Sequence, residues 1–190
     1  TKDPFDLIQE LEDILGLPSS PVTWPIGCGM NFEGIYDLLK NEAILYKADK
    51  TIKLGDKGVF GPELEDQISG LNLSSLRDEI ELIQGAGNPF DEDAVLAGKL
   101  SPVFFGSALA DFGTVPFLQH FLDMSPAPGP RKATDGYVDP EDDFFSGFIF
   151  KIQANMNPAH RDRLAFLRIC SGTFERGMSV ILSRTGKEMK

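Results

Sequence analysis

The sequence predicts an α/β unit followed by a separate β unit. In the first part of the chain, helix-like apolar spacings alternate with short apolar runs that are typical of strands. A proline-rich segment, 125–131, then interrupts the chain, because proline cannot continue a helix and restricts the residue before it. Beyond it the apolar residues alternate with a period of two, as in antiparallel strands. We therefore expect domains at 1–125 and 144–190, joined by a Pro-rich and acidic linker over 126–143.

The first unit should begin with a helix that Asp3 caps and Gly16 ends, since the apolar residues between them recur at helical spacing. Short strands are expected at 22–26 and 43–46, and the segment 32–39 between them is interpreted as a helical turn or a short helix.

The rest of the first unit contains predicted helices, a strand and an irregular stretch. Residues 47–72 are punctuated by Gly, Lys and Asp and should form irregular surface structure. The segments that follow predict a helix from a Ser74-Ser75 cap to Gly85, a helix over 91–97, a strand over 99–105 and a helix capped by Thr114. The stripe of that last helix consists of Val115, Leu118, Phe121 and Leu122.

The second unit reads as the start of an antiparallel β domain. Strands are expected at 148–153, 164–169 and 178–182, with a turn at 171–173. Three strands are too few to close a barrel, so we expect this domain to be truncated at Lys190.

Charge is distributed very unevenly along the chain. Residues 1–143 hold ten Lys and Arg against 26 Asp and Glu, whereas 144–190 hold eight against three. This break suggests two units with different partners. The basic unit either faces nucleic acid or is a short soluble β segment with solvated arginines, and charge alone does not separate these alternatives.

Several classes of protein are disfavoured by what the sequence lacks. It has no apolar run near 18 residues and no basic-then-apolar leader, so we expect a cytosolic protein, and the start at Thr1 suggests an excised piece. Cys28 and Cys170 have no CxxC spacing and are expected to be free, buried thiols. No metal site and no catalytic residues are predicted, because no GxxxxGK[ST] phosphate loop and no Ser/His/Asp or Cys/His set is present.

The loop after the 99–105 strand is the most informative motif. Gly106-Ser107-Ala108 lies between a predicted strand and a predicted helix, at the strand edge where open α/β sheets bind ligands. One interpretation is a small-residue turn. The other is a purine site, in which the Ala108 N–H donates to a carbonyl oxygen of guanine and small side chains permit close approach.

A second polar loop, His160-Arg161-Asp162-Arg163, joins two predicted strands of the β unit. It is either a phosphate-contacting tip or a polar hairpin loop with local ion pairs, which contribute little at a surface.

Taken together, several segments resemble the translational GTPases, most closely the bacterial branch that acts in peptide chain termination. These segments are 21–27, 102–109, 125–128, 147–156, 160–163 and 171–177. The resemblance covers essentially the whole chain, and the stretch 148–163 is its most branch-specific part.

The resemblance implies a fold, a site and partners. Residues 1–125 would be the C-terminal part of a P-loop GTPase-type domain with an insertion at about 47–100, and 144–190 would be the first strands of a translation-factor β-barrel. Ser107, Ala108 and Leu109 would contact guanine. The intact protein would bind GTP or GDP with Mg²⁺ and would promote dissociation of class-one release factors from the ribosome. Candidate ribosome contacts are Arg161, Arg163 and Arg168.

Because the phosphate loop is missing, we expect these 190 residues alone neither to hydrolyse GTP nor to hold a nucleotide or other cofactor tightly. Two alternatives remain open at this point. One is an elongation-factor-type translational GTPase, which the segment 148–163 argues against. The other is a stand-alone, non-catalytic binding module, which the missing nucleotide motifs favour.

Overall fold

The computed structural model describes residues 2–134, 136–154, 156 and 163–190, and the chain divides into two compact units, 1–125 and 126–190. The helices and strands of the first unit are, in chain order, α1 (Pro4–Leu15), β1 (Ser19–Pro21), β2 (Thr23–Ile26), β3 (Gly34–Asp37), β4 (Glu42–Leu45), β5 (Lys50–Lys53), α2 (Gly70–Ala86), α3 (Glu92–Leu96), β6 (Ser101–Val103) and α4 (Thr114–Met124). One-turn 3₁₀ helices occupy Gly29–Asn31 and Gly58–Phe60.

The predicted first helix is confirmed, together with both of its end signals. The Asp3 carboxylate accepts a hydrogen bond of 2.9 Å from the Phe5 N–H, which satisfies a backbone donor that the first turn leaves free. Gly16 ends α1 in the left-handed conformation, and its N–H donates to the Glu12 carbonyl oxygen.

Strands β2 to β5 form a four-stranded antiparallel meander in the order β2-β3-β4-β5. The prediction of a helical segment at 32–39 was wrong, because β3 pairs with a strand on each side and is buried along its whole length. The prediction that 47–72 is irregular was also wrong in part, since β5 and a 3₁₀ turn lie within it. Pro25 is accommodated because β2 is an edge strand of this sheet.

The core of the first unit lies between this sheet and α2. Trp24 is fully buried and packs against the rings of Phe5 and Phe105, at centroid distances of 4.7 and 5.1 Å. Helix α2 is longer than expected. It is capped by Ser69, whose hydroxyl accepts from the Asn72 N–H, rather than by Ser74 and Ser75.

The candidate loop joins a short parallel strand pair to α4. Strand β6 pairs in parallel with β1 and covers only part of the predicted 99–105 strand. Helix α4 forms as expected, but Gly113 rather than Thr114 occupies its N-cap position. Its predicted apolar stripe is exposed, at 50–72% for Val115, Leu118, Phe121 and Leu122. The residues that α4 buries are instead Pro116 and His120.

A buried polar contact fixes α4 to the meander. The Asp37 carboxylate lies at the end of β3, and its Oδ2 is 2.6 Å from Nε2 of His120. Its other oxygen accepts hydrogen bonds from the N–H groups of Leu39 and Lys40, at 3.1 and 2.9 Å. Both side chains are almost completely buried. Each is therefore stable in this position only with its partner in place.

The second unit consists of β-hairpins. Its strands are β7 (Arg131–Ala133), β8 (Gly136–Val138), β9 (Ser146–Ala154), β10 (Arg163–Ser171), β11 (Val180–Leu182) and β12 (Lys187–Met189). They pair antiparallel as β7-β8, β9-β10 and β11-β12. The first hairpin lies within the segment that the sequence assigns to a linker. The predicted long strand pair at 148–169 is confirmed by β9 and β10.

Two further sequence expectations concern the membrane and the cysteines. None of the helices in the described ranges has the length and apolar character needed to cross a bilayer. Cys28 and Cys170 are free thiols, but Cys28 is exposed and Cys170 half-buried, so the expectation that both are buried was wrong.

We predict that Asp37→Ala destabilises the chain by roughly 2–5 kcal/mol, because it leaves the buried His120 and two backbone N–H groups without a hydrogen-bond acceptor. Chemical denaturation followed by the fluorescence of Trp24, the single tryptophan, measures this. The exposed Asp56 supplies the control, and Asp56→Ala should stay within about 0.5 kcal/mol of wild type. Equal effects of the two variants would contradict the assigned role of Asp37.

Candidate functional site

The candidate loop, residues 106–113, is a small closed turn between β6 and α4. Ser107 and Phe112 pair across it, with the Ser107 N–H donating to the Phe112 carbonyl at 2.9 Å and the Phe112 N–H donating back at 3.1 Å. The Ser107 hydroxyl accepts from the Ala110 N–H at 3.2 Å. These three hydrogen bonds give the turn a defined shape without a ligand.

The tip of this turn presents backbone to solvent. Ala108 is exposed, Leu109 is completely exposed, and Ser107 is half-buried. Within the part of the chain that the structure describes, no acceptor takes the N–H of Ala108 or of Leu109. An exposed N–H beside a methyl side chain is a donor that a flat, polar ligand edge can approach closely.

Gly113 closes the turn and requires glycine. Its φ is +75°, in the left-handed region, and a Cβ there would lie 2.4 Å from the Phe105 carbonyl oxygen. Its N–H donates to the Tyr46 hydroxyl oxygen at 2.7 Å.

The meander anchors the loop through residues that the sequence analysis did not single out. The Thr23 hydroxyl accepts a hydrogen bond of 2.9 Å from the Phe105 N–H, just before the loop. The Phe112 ring packs on Phe32 and Tyr46, with centroid distances of 4.3 and 5.9 Å. The Thr23–Phe105 and Tyr46–Gly113 hydrogen bonds join residues that are 82 and 67 positions apart. No local sequence pattern could therefore have predicted them.

One carboxyl group with a shifted pKa contacts the core of the first unit. Glu79 of α2 accepts a hydrogen bond of 2.6 Å from the indole N–H of Trp24. Burial raises the pKa of the Glu79 carboxyl above its ordinary value, and the charges of Asp3 and Asp78 act in the same direction. The hydrogen bond from Trp24 opposes them and lowers this pKa.

The candidate ribosome contacts are not brought together. Arg163 and Arg168 are both exposed on β10. They are separated by roughly 17 Å along this strand, and a register shift of the β9–β10 pair, between Phe166 and Leu167, lies between them. Arg161, with the rest of the 160–162 stretch, lies outside the described residues.

Among the described residues, no three or more His, Cys, Asp or Glu side chains are grouped in a way that could hold a metal ion. The Asp37–His120 pair is a buried structural contact, and both oxygens of Asp37 are hydrogen-bonded within the protein.

Comparison with known proteins identifies the relatives of this chain. Peptide chain release factor 3 from Streptococcus pneumoniae strain Hungary19A-6 is 54% identical to it over 192 aligned positions. The corresponding proteins of serotype 19F strain G54 and of strain CGSP14 have the same identity. The chain is homologous to part of peptide chain release factor 3. The alignments include all of this chain but only 36% of each relative, so the chain spans about a third of their length.

Two further matches describe the fold of this chain. Residues 144–190 match the family model of elongation factor G domain 2. A crystal structure of a protein from Thermus thermophilus covers 94% of this chain and 27% of its own, with a TM-score of 0.54 and 21% identity. These matches show a translation-factor fold with β-sheets.

We predict that the stability of this chain depends on pH through Glu79. The folded-state pKa is raised, so the carboxyl contributes stability below about pH 4 that is lost as pH rises through the folded value. Glu79→Gln does not titrate, and its stability relative to wild type should therefore increase from about pH 4 towards neutrality.

Denaturation at a series of pH values measures this difference. Glu81→Gln, on the exposed side of the same helix, provides the matched baseline. A wild-type-minus-variant difference that is flat with pH for Glu79→Gln would refute the shift.

Proposed function

We propose that this chain is part of a ribosome-associated, cytoplasmic GTPase that stimulates translation termination by promoting dissociation of class-one release factors. The observation that carries the proposal is the 54% identity to peptide chain release factor 3 along the entire chain. In this proposal residues 1–125 are the C-terminal portion of the GTP-binding domain, with an insertion at about 47–100. Residues 126–143 are a linker, and 144–190 begin the second, β-barrel domain.

The loop 106–113 is proposed to contact the guanine base through Ser107, Ala108 and Leu109. The exposed, unengaged N–H of Ala108 supports this role, since guanine carries a carbonyl acceptor at C6 where adenine carries an amino donor. Such a donor discriminates between the two purines, because the wrong purine leaves it without a partner.

The residues present fit one end of a guanine nucleotide. The turn supplies a base-recognising donor, whereas the sequence holds no GxxxxGK[ST] loop for the phosphates and Mg²⁺. GTP or GDP with Mg²⁺ is therefore proposed as the ligand of the intact protein, in which further residues would hold the phosphates. When bound, GTP supplies the phosphoryl group whose hydrolysis drives the cycle.

The basic second unit is proposed to face the ribosome. Residues 144–190 carry eight Lys and Arg against three Asp and Glu, a balance suited to the phosphates of ribosomal RNA. Because Arg163 and Arg168 lie roughly 17 Å apart along β10, they would contact different parts of a partner.

An elongation-factor-type translational GTPase remains the second candidate, because residues 144–190 match elongation factor G domain 2. Kinetic assays on the full-length protein separate the two. We expect GTP-dependent acceleration of class-one release factor departure from ribosomes after peptide release, and no acceleration of messenger RNA movement. The opposite pattern would support the elongation-type function and overturn the proposal.

We predict that Ala108→Pro in the full-length protein weakens GDP and GTP binding by roughly 1–3 kcal/mol, because proline removes the N–H that the purine oxygen requires. Titration with a fluorescent guanine nucleotide measures the affinity. Ala108→Gly keeps the N–H and should bind nearly as wild type does. Unchanged affinity in a folded Ala108→Pro protein would rule out the proposed contact.

We also predict that Arg163→Ala weakens ribosome association more at low salt than at high salt and lowers the slope of log affinity against log salt by about one. Arg161→Ala is expected to behave in the same way. Sedimentation of the full-length protein with ribosomes at several salt concentrations measures both.

Lys57→Ala, an exposed lysine in the acidic first unit, is the control for general charge effects on this association. An Arg163→Ala loss that does not vary with salt would assign this arginine to a polar hairpin rather than to phosphate contact.

A further inference from the structure

The Tyr46 hydroxyl is a long-range contact of the candidate loop. It accepts the Gly113 N–H at 2.7 Å, across 67 residues of sequence. The Tyr46 ring also packs on Phe112, the residue before Gly113, at a centroid distance of 5.9 Å. One side chain therefore contacts two consecutive residues at the closing end of the turn.

Tyr46 itself is held by the meander. It directly follows β4, an internal strand of the sheet, and its N–H donates to the Glu33 carbonyl oxygen at 3.1 Å. Its ring stacks on Phe32 at a centroid distance of 6.1 Å and an interplanar angle of 26°. The Tyr46 side chain is thus held in place by its position at the end of a strand and by its packing on Phe32.

A short path of covalent bonds and hydrogen bonds connects the Tyr46–Gly113 contact to the Ala108 N–H, the proposed donor to the base. Phe112 pairs with Ser107 by two backbone hydrogen bonds, and Ser107 is bonded to Ala108. Gly113 has no space for a Cβ and is buried, so the chain at this end has little freedom to shift. A displacement of Gly113 would therefore move the Ala108 N–H as well.

We propose that Tyr46 is a positioning residue for purine recognition, which fixes the loop 106–113 so that the Ala108 N–H points at an acceptor on C6 of a bound purine. This inference rests on the proposed function, because it assumes that the loop binds guanine. It adds a specificity role for a residue of the meander that need not touch the nucleotide.

Two ligands that differ at C6 of the purine provide a measurement that would not change if Tyr46 had only a structural role. GDP has the C6 oxygen and a proton on N1, whereas 2-aminopurine riboside diphosphate has the same sugar, phosphates and 2-amino group but lacks both. The N1 difference is common to wild type and variants, so the change in the ratio of the two dissociation constants from wild type to a loop variant reports on the C6 contact. General loosening of the protein would weaken both ligands and leave this ratio unchanged.

The test compares Tyr46→Phe with Tyr36→Phe in the full-length protein. Tyr36 lies on β3 of the same sheet, and its hydroxyl donates to Asn41 Oδ1 at 2.9 Å, away from the loop. Each substitution removes one hydrogen-bonded hydroxyl. We expect Tyr46→Phe to lower the discrimination between the two ligands roughly 2- to 10-fold, the scale of one hydrogen bond, and Tyr36→Phe to leave it unchanged.

A second variant keeps the inference testable if Tyr46→Phe folds poorly. Phe112→Leu preserves an apolar side chain but removes the aromatic contact with Tyr46, and it should lower the same ratio. If both variants fold and retain wild-type discrimination, the positioning role is wrong.

The failure of the proposed function has a different signature. If the wild-type protein binds both ligands equally, or if an Ala108→Pro variant discriminates between them as wild type does, the loop does not recognise the group at C6 of the purine. Wild-type discrimination that Ala108→Pro abolishes and Tyr46→Phe leaves intact would overturn the role of Tyr46 alone.

Discussion

The placement of the loop 106–113 depends on hydrogen bonds from three neighbouring strands of one sheet. The Thr23 hydroxyl of β2 holds the chain at Phe105, before the loop. The Tyr46 hydroxyl, just after β4, holds its closing residue. The Asp37 carboxylate at the end of β3 contacts α4, which leaves the loop. The loop, which has three hydrogen bonds of its own, is thus also fixed at its entry, its closure and its exit.

Burial makes these contacts selective for one arrangement. Thr23, Asp37 and His120 are all nearly inaccessible to solvent, and a buried polar group without its partner costs about 1–3 kcal/mol. A small shift of α4 or of β6 relative to the meander would separate such pairs, whereas apolar contacts tolerate sliding better. The aromatic packing of Phe112 on Phe32 and Tyr46 supplies contact area around this polar framework.

The sequence correctly predicted the features that depend on residues close together in the chain. The Asp3 cap and Gly16 defined α1, and the small residues of Gly106-Ser107-Ala108 marked a turn between a strand and a helix. The segment 32–39 was misread because β3 becomes a strand through pairing on both sides, which no short window contains. The periodicity of Val115, Leu118 and Phe121 correctly predicted a helix but not which face is buried, since His120 anchors α4 through a residue 83 positions away. The residues that anchor the loop were missed for the same reason.

The order of these elements along the chain has a consequence for folding. The meander is a run of adjacent hairpins within 23–53, so its contacts are local and form quickly, whereas the loop contacts span 67 to 83 residues. During synthesis the amino-terminal segments emerge first. We expect Thr23, Asp37 and Tyr46 to be in place on a formed sheet before residue 106 leaves the ribosome. The loop 106–113 would then fold against a sheet that has already formed.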